Sequence, residues 1–488
     1  MKKAIKIIFQ LGLLVCICAS LYMRTLLFNM AYEYDELFTA ITTDPLLSFG
    51  WIYKHWLLVD VHPPLYNAFL WIWNHLVPYG PEIWLRLPSL LFGVSGLVCA
   101  WICFPKRLGK TAKWIFVSLL SCNLYVLFYS QHARSYMLMM LLSVPVTFLF
   151  LAIFRRILKR CYISKQTWIS FAVLSILLSW SHYFGTLLAG ICAVFLCLKA
   201  VQTKFEVKPA SLTLLIIGIG FLPWIIPNFI EQIFYERFSG NWWGNEAQWR
   251  FIPWTVLCLL FSNWRGIAIM GILLAVGTGW YIYRWKKTGY IPFVREQLVL
   301  LSVCLAAIAI VGVVSLKTFL FYGRYFIAFL PRAYLIVCVI LAPVVRKNLL
   351  AKILCVLFLI SNLVVFGRGH QELRYTPKMP VRMLSQIYRD FYRGKEMFVI
   401  AVEGFPPVVM PAMYGFYVNR VYGLNVPVTE LFSLDEETRN KVLERKEEAF
   451  IWMPNCNTEK LQQVANKWHR SLGVYGRLPD TCILKISD

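Results

Sequence analysis

Eleven apolar stretches, each close to the length that crosses a bilayer, set the terms on which this 488-residue chain can fold. A spanning helix needs about 20 mostly apolar residues. Such segments are read at 4–28, 86–104, 114–130, 136–154, 167–181, 183–198, 211–228, 264–283, 298–316, 326–345 and 349–366. With 59% hydrophobic and 15% charged residues, the chain carries more apolar surface than one soluble core buries. The expected class is a polytopic α-helical membrane protein with about 11 transmembrane helices.

Lysine and arginine then set the orientation. Lys2, Lys3 and Lys6 precede the first span, and clusters follow around Lys106–Lys113, Arg155–Lys165, Lys199–Lys208, Arg284–Lys287 and Arg346–Lys352. Every second loop is basic, the pattern that cytoplasmic retention of these residues produces. The formal charge of +24 is therefore a topology signal and no nucleic-acid footprint. Of the 11 acids before residue 368, only Glu206 and Glu296 fall in predicted cytoplasmic loops. The N-terminus is expected in the cytoplasm, and the C-terminal region on the far side of the membrane. The stretch "PPLYNAFLWIWNHLVPYG" at 63–80 is read as a helix at the outer interface, because a further crossing would move the later basic clusters outside. The apolar run of residues 1–28 is too long for a cleaved secretory signal, and cleavage would leave the side of Asp35 unchanged.

After residue 367 the texture changes. Residues 368–488 hold 17 basic and 14 acidic residues, with helical patterns at 380–392, 406–418, 434–446 and 458–469. Between them lie the β-rich runs "MFVIAV", "AFIWM" and "CILKIS". This alternation predicts a small soluble extracytoplasmic α/β domain at 368–488 behind a membrane domain at 1–367. "SLDE", Ser433 to Glu436, has the spacing of a capping box. No GxGxxG or Walker sequence supports nucleotide binding. The cysteines show no zinc-ligand spacing, and pairing of Cys456 with Cys482 is left open.

The informative polar residues gather in the predicted outer loops. "YEYDELFT" at 32–39 brings Asp35 and Glu36; Asp60, His62, Tyr66 and Arg86 follow, then His132 and Arg134 in "YSQHARSY". His182 comes next, and Tyr322 and Arg324 come last, between Lys317 and Arg332. A carboxylate beside an incoming hydroxyl or amine can take its proton, while guanidinium groups hold a phosphate leaving group. That division suits glycosyl transfer from a lipid phosphate.

These residues carry a resemblance to GT-C-fold glycosyltransferases of the protein O-mannosyltransferase and lipid A aminoarabinose transferase superfamily. The matching features are "DE" at 35–36, "HPPLY" at 62–66, "RLPS" at 86–89, "SQHARSYML" at 130–138 and "GRYFIAFLP" at 323–331, in order across residues 1 to about 345. The resemblance implies a bacterial source, a polyprenyl-phosphate sugar donor, inversion at the anomeric carbon, Asp35 as base, and approach of His62, Tyr322 and Arg324 to the carrier phosphate; Arg134, in a very short loop beside His132, is read from that position as a structural or phosphate-binding residue. Many relatives carry an acid before the Arg of the second outer loop, where this chain has Gln131 and His132. Glu36 or Asp60 could substitute, and the acceptor, whether lipid, glycan or protein, stays open.

Each residue has a plainer reading beside the functional one. Asp35 is also an ordinary interfacial acid, and Glu36 a helix cap. His62 is also a turn residue beside Pro63-Pro64, and Tyr66 an interface anchor. Arg86 and Arg134 also snorkel at helix ends, and His182 is also a hydrogen-bonded interfacial histidine. Asp35, Glu36 and Asp60 could offer oxygen ligands to Mg²⁺ or Mn²⁺, but the cations could neutralise phosphate without one, and no cofactor is firmly implied. A transporter or flippase for a lipid-linked sugar would be expected to place its charges near the midplane. An outer-face polysaccharide polymerase or ligase would be expected to carry a long late loop.

Overall fold

A chain whose apolar runs match the bilayer should fold into long helices with their backbone groups satisfied internally, and the computed structural model has that form. It describes residues 2–58, 60, 62–234, 252–316, 320–375, 381–400, 409–430, 434–435, 437–438, 441, 449–454, 462, 472–478 and 481–486. Among them, nine helices are long and apolar enough to cross a membrane. The protein is an integral membrane protein.

The nine correspond to nine of the eleven expected segments. They include Lys2–Met23, Glu82–Cys103, Tyr136–Leu158, Tyr183–Thr203 and Val207–Phe234. Trp264–Thr288, Val294–Val314, Leu330–Lys347 and Leu349–Tyr375 complete the set. The other two expected segments are helical but short. Lys165–Ser181 has 17 residues. The 114–130 stretch divides into Lys110–Ser121 and Leu124–Tyr129, because Asn123 begins a new helix. Its Oδ1 accepts the Val126 N–H at 3.1 Å, while its Nδ2 donates to Leu259 O and Tyr334 Oη. The 63–80 stretch forms only the ten-residue helix Leu65–Asn74, and 253–262 forms Ile252–Phe261, both too short to cross.

The chain divides into two compact units. The first comprises Met1–Leu26, Leu57–Tyr66 and Arg86–Gly369; the second comprises Leu27–Trp56, Asn67–Leu85 and His370–Asp488. The C-terminal region thus shares its unit with most of the first predicted outer loop, an association that a boundary at residue 367 does not anticipate.

In the first unit, basic loops meet in pairs. Arg107 and Glu296, from different predicted cytoplasmic loops, form an ion pair at 2.6 Å, and Arg160 donates to Thr203 O at 3.0 Å. Glu206 accepts the Trp168 Nε1–H at 3.2 Å. Both acids in these loops therefore have structural partners. The helices on either side of His182 approach closely at Gly185, where a Cβ would lie 2.2 Å from Leu178 O.

The second unit is held by two carboxylates. Glu82 Oε1 accepts from Arg382 Nη1 at 2.8 Å and from Tyr417 Oη at 3.0 Å, and the same Tyr417 oxygen accepts the Tyr32 N–H. Asp44 accepts from Tyr79 Oη at 2.7 Å and from the Leu46 N–H, and Arg420 Nε lies 2.8 Å away. Asn67 and Asn74, on the Leu65–Asn74 helix, donate to Thr42 and Thr43. The unit contains a mixed sheet of β1 (Glu396–Val399), β2 (Val428–Glu430), β3 (Ala449–Pro454), β4 (Leu472–Leu478) and β5 (Thr481–Ile486), in the order β2-β1-β3-β5-β4. β1 runs parallel to β2 and β3, whereas β5 is antiparallel to β3 and β4. Met397, Phe398 and Val399 are all buried, as suits a central strand covered on both faces.

Three of the expected runs, "MFVIAV", "AFIWM" and "CILKIS", overlap β1, β3 and β5, and the 380–392 pattern is Val381–Phe391. The 406–418 pattern appears as Val409–Tyr414 followed by a π-helical turn, Phe416–Val421. In "SLDE", Asp435 performs the capping, accepting from Thr438 N at 2.9 Å. Ser433, most of 434–446 and 458–469, Cys456 and the Cys482 side chain lie outside the described residues. Gly185→Ala should lower stability by about 2 kcal/mol through overpacking against backbone, whereas Gly190→Ala, with open space around it, should be neutral; thermal unfolding in detergent checks both.

Candidate active site

In the first unit the structure gathers imidazoles and guanidiniums from four separated parts of the sequence. The backbone carrying Asp60 is latched by Asn228, whose Nδ2 donates to Leu58 O at 2.8 Å and Asp60 O at 2.9 Å. Asn228 is itself held through Tyr183 Oη, which accepts from Trp224 Nε1. The signal in the sequence was a lone asparagine directly after Pro227 at the end of an apolar run.

Asp60 Oδ1 lies 3.3 Å from His62 Nδ1, and both ring nitrogens of His62 lie 3.4 Å from Arg134 Nη2. His62 meets His182 edge to face at 5.2 Å between ring centroids. Tyr136 and Tyr325 enclose His182 at 5.6 and 5.3 Å, and the Arg324 guanidinium lies 5.3 Å from the Tyr325 ring centre and 5.5 Å from that of Tyr322. Arg324 stands in a 3₁₀ segment, Gly323–Phe329. Glycine is needed there because a Cβ on Gly323 would fall 2.5 Å from Tyr125 Oη.

His182 caps the Tyr183–Thr203 helix, its Nδ1 accepting the Phe184 N–H at 3.1 Å. The neutral ring therefore carries its proton on Nε2. Among the described residues that buried Nε2 has no hydrogen-bond partner. Burial pushes the His182 pKa well down, and His62, Arg134 and Arg324 push it further in the same direction. His182 is a neutral donor within reach of the field of two arginines.

Tyr66 Oη bonds to Ser89 Oγ at 2.8 Å, and Ser89 Oγ donates to Arg134 O at 3.4 Å, so Tyr66 braces the Arg134 loop from below. Arg86 is buried in the first turns of the Glu82–Cys103 helix. His132 is buried against the rings of Phe128 and Tyr129. Among the described residues no group of three or more His, Cys, Asp or Glu side chains is arranged to hold a metal ion.

Arg24 was not singled out from the sequence. It is fully buried, and its guanidinium donates to Val126 O at 2.9 Å, Ser121 O at 2.8 Å and Ser130 Oγ. A cation here meets the negative ends of the Lys110–Ser121 and Leu124–Tyr129 helices. Burial lowers its pKa only to about 10, so it stays charged at neutral pH. Its only mark in the sequence was a lone arginine at the end of the first apolar run.

Asp35 and Glu36 belong to the second unit. They open the helix Tyr34–Ile41, where Glu33 and Glu36 form a reciprocal capping box and the Glu36 carboxylate accepts the Glu33 N–H at 3.2 Å. Glu36 is fully buried, whereas Asp35 is half-buried. Both carboxylates meet the positive end of the helix dipole.

No protein-family model matches the chain, and no curated protein matches it in sequence. Solved structures do match. ArnT from Cupriavidus metallidurans, solved with undecaprenyl phosphate bound, is 12% identical with a TM-score of 0.60, over 96% of this chain and 97% of that one. Its apo form gives a TM-score of 0.57. The archaeal oligosaccharyltransferase AglB from Archaeoglobus fulgidus, in complex with an inhibitory peptide and a dolichol-phosphate, is 11% identical with a TM-score of 0.51, over 98% of this chain and 74% of that one. The chain has the GT-C fold.

Arg24→Leu removes three hydrogen bonds from a charged donor and leaves two buried carbonyls without it. It should cost about 3 kcal/mol, read as a lower thermal unfolding midpoint, and Arg24→Lys should recover only part of the loss.

Proposed function

We propose that the chain is a glycosyltransferase that moves a sugar from a polyprenyl-phosphate-linked donor to an acceptor on the extracytoplasmic side of the membrane, with inversion at the anomeric carbon. The observation that carries this reading is the cluster of buried Arg134 and His182 with half-buried His62 and Arg324, in which two guanidiniums and one N–H donor without a partner among the described residues stand close together. Such a cluster suits an oxyanion far better than a neutral ligand. The fold shared with ArnT, crystallised with undecaprenyl phosphate, supports the same choice of donor.

In the reaction, an acceptor hydroxyl or amine attacks the anomeric carbon while the bond from that carbon to the phosphate oxygen breaks. The electron pair leaves with polyprenyl phosphate, and the acceptor's proton passes to the Asp35 carboxylate. Arg134 and Arg324 neutralise the charge that grows on the phosphate, and the His182 Nε2–H donates to it. Tyr322 backs Arg324, and Asp60 orients His62. Glu36, tied into the capping box, positions Asp35. The polyprenyl tail stays among membrane lipids, the guanidiniums can neutralise the phosphate without a metal, and the acceptor is a lipid, glycan or protein. Residues 1–367 form the catalytic membrane domain, and residues 368–488 a soluble domain on the extracytoplasmic side.

Purified protein should release polyprenyl phosphate from a labelled polyprenyl-phosphate sugar. Asp35→Asn should lower turnover by about 10²-fold or more with donor binding kept, and Arg324→Ala should weaken donor binding by about tenfold. Full turnover by Asp35→Asn would overturn the base assignment; translocation of the donor without release of polyprenyl phosphate would establish a flippase instead.

A further inference from the structure

The second unit contains a cavity of about 420 Å³ that the transfer chemistry does not use. Its lining includes Asp44, Trp56, Phe416, Asn419, Arg420 and Asn425. The volume lies in the range of small-molecule sites, which pair an apolar floor with a few fixed polar groups.

The arginine is braced from one side. Arg420 Nε lies 2.8 Å from Asp44 Oδ2, and Asp44 is buried and further fixed by Tyr79 Oη and the Leu46 N–H. Among the described residues neither Nη atom of Arg420 has a hydrogen-bond partner, and the side chain is 35% exposed. The end-on edge of the guanidinium is thus held ready for an oxyanion, to which it can donate two parallel hydrogen bonds.

The neighbouring part of the lining is prearranged. Asn419 Nδ2 donates to Val426 O at 2.8 Å, while its Oδ1 accepts the Val426 N–H at 2.6 Å. This clamp fixes the 419–426 loop and keeps Asn425 in the left-handed region at φ +52°. The Asn425 carboxamide is exposed and makes no hydrogen bond among the described residues. The floor is aromatic, and the buried Trp56 Nε1 also has no partner among the described residues. An aromatic floor rimmed by a carboxamide and an end-on guanidinium fits one chemistry well. The C–H face of a sugar ring packs on the rings, hydroxyls meet the amide, and an acidic substituent meets the arginine.

We infer that this cavity binds a saccharide bearing one anionic group, a uronate carboxylate or a phosphate ester. The inference concerns binding within the second unit and does not depend on the transfer reaction. Full-length protein in nanodiscs would be titrated by saturation-transfer NMR with methyl β-glucuronide, glucose 6-phosphate, methyl β-glucoside and inorganic phosphate. One or both acidic sugars should bind at least tenfold more tightly than the neutral glucoside and than phosphate alone, and the preferred one identifies the anionic group. Arg420→Gln should abolish that preference. Because Arg420 also pairs with Asp44, thermal unfolding is measured alongside. Asn425→Gly, which keeps the ion pair and suits the positive φ, should weaken acidic-sugar binding several-fold by itself. Both variants should keep wild-type release of polyprenyl phosphate, so a failure of the transfer reading stays separate. Equal binding of glucoside and glucuronide, equal binding of inorganic phosphate alone, or unchanged binding by both variants would overturn the inference.

Discussion

A peptide group in hydrocarbon has no water to turn to, and this constraint governs the molecule from its helix ends inward. At several interruptions of a helix in the first unit, a side chain completes the orphaned backbone. Asn123, Asn263 and His182 cap helix starts, and Arg24 takes the carbonyls at two helix ends. These are also the places where the chain departs from plain apolar helix. The candidate site occupies the ground they open.

That origin explains the character of the site. A guanidinium or imidazole buried near a membrane is costly unless it finds partners. Arg134 is placed by the Tyr66–Ser89 bridge and by His62, and His62 by Asp60, whose backbone hangs from Asn228. The chain of support therefore runs from a polar residue inside one apolar helix, through a loop, to the cations. It does so with few charges of its own, and His62, Arg134 and Arg324 together make the field at His182 positive. A field of that sign, held by short contacts between rigid helix ends, needs little reorganisation when an anion arrives.

Much of this was legible in the sequence, for identifiable reasons. Hydropathy marks long spans strongly, so nine of them fall where they were read, and the 63–80 stretch is indeed too short a helix to cross. His62, Arg134, His182 and Arg324 stood out because charge near the ends of apolar runs is rare. Their grouping is a tertiary fact that motif order only suggests. The latch at Asn228 and the cap at Arg24 were missed, since one polar residue at a span's end barely changes a hydropathy average. Glu36 carried both a catalytic and a capping reading, and its carboxylate does take part in a capping box with Glu33, three residues earlier. β2, three residues long, and β4, interrupted by Gly473 and Gly476, carry too little alternation to be found by pattern.

The make-up of the second unit has a bearing on how the protein is built. Tyr32 finds its partner in Tyr417, 385 positions later, and Asp44 and Glu82 wait for Arg420 and Arg382. On a ribosome, segments made near the beginning therefore remain half a structure until nearly the whole polypeptide has emerged. Their exposed carboxylates and aromatic rings must be tolerated, or sheltered by other proteins, through the insertion of every helix in between. Assembly of this unit is a late event of biogenesis, and a message truncated before residue 382 would leave Tyr32, Asp44 and Glu82 without these counterparts.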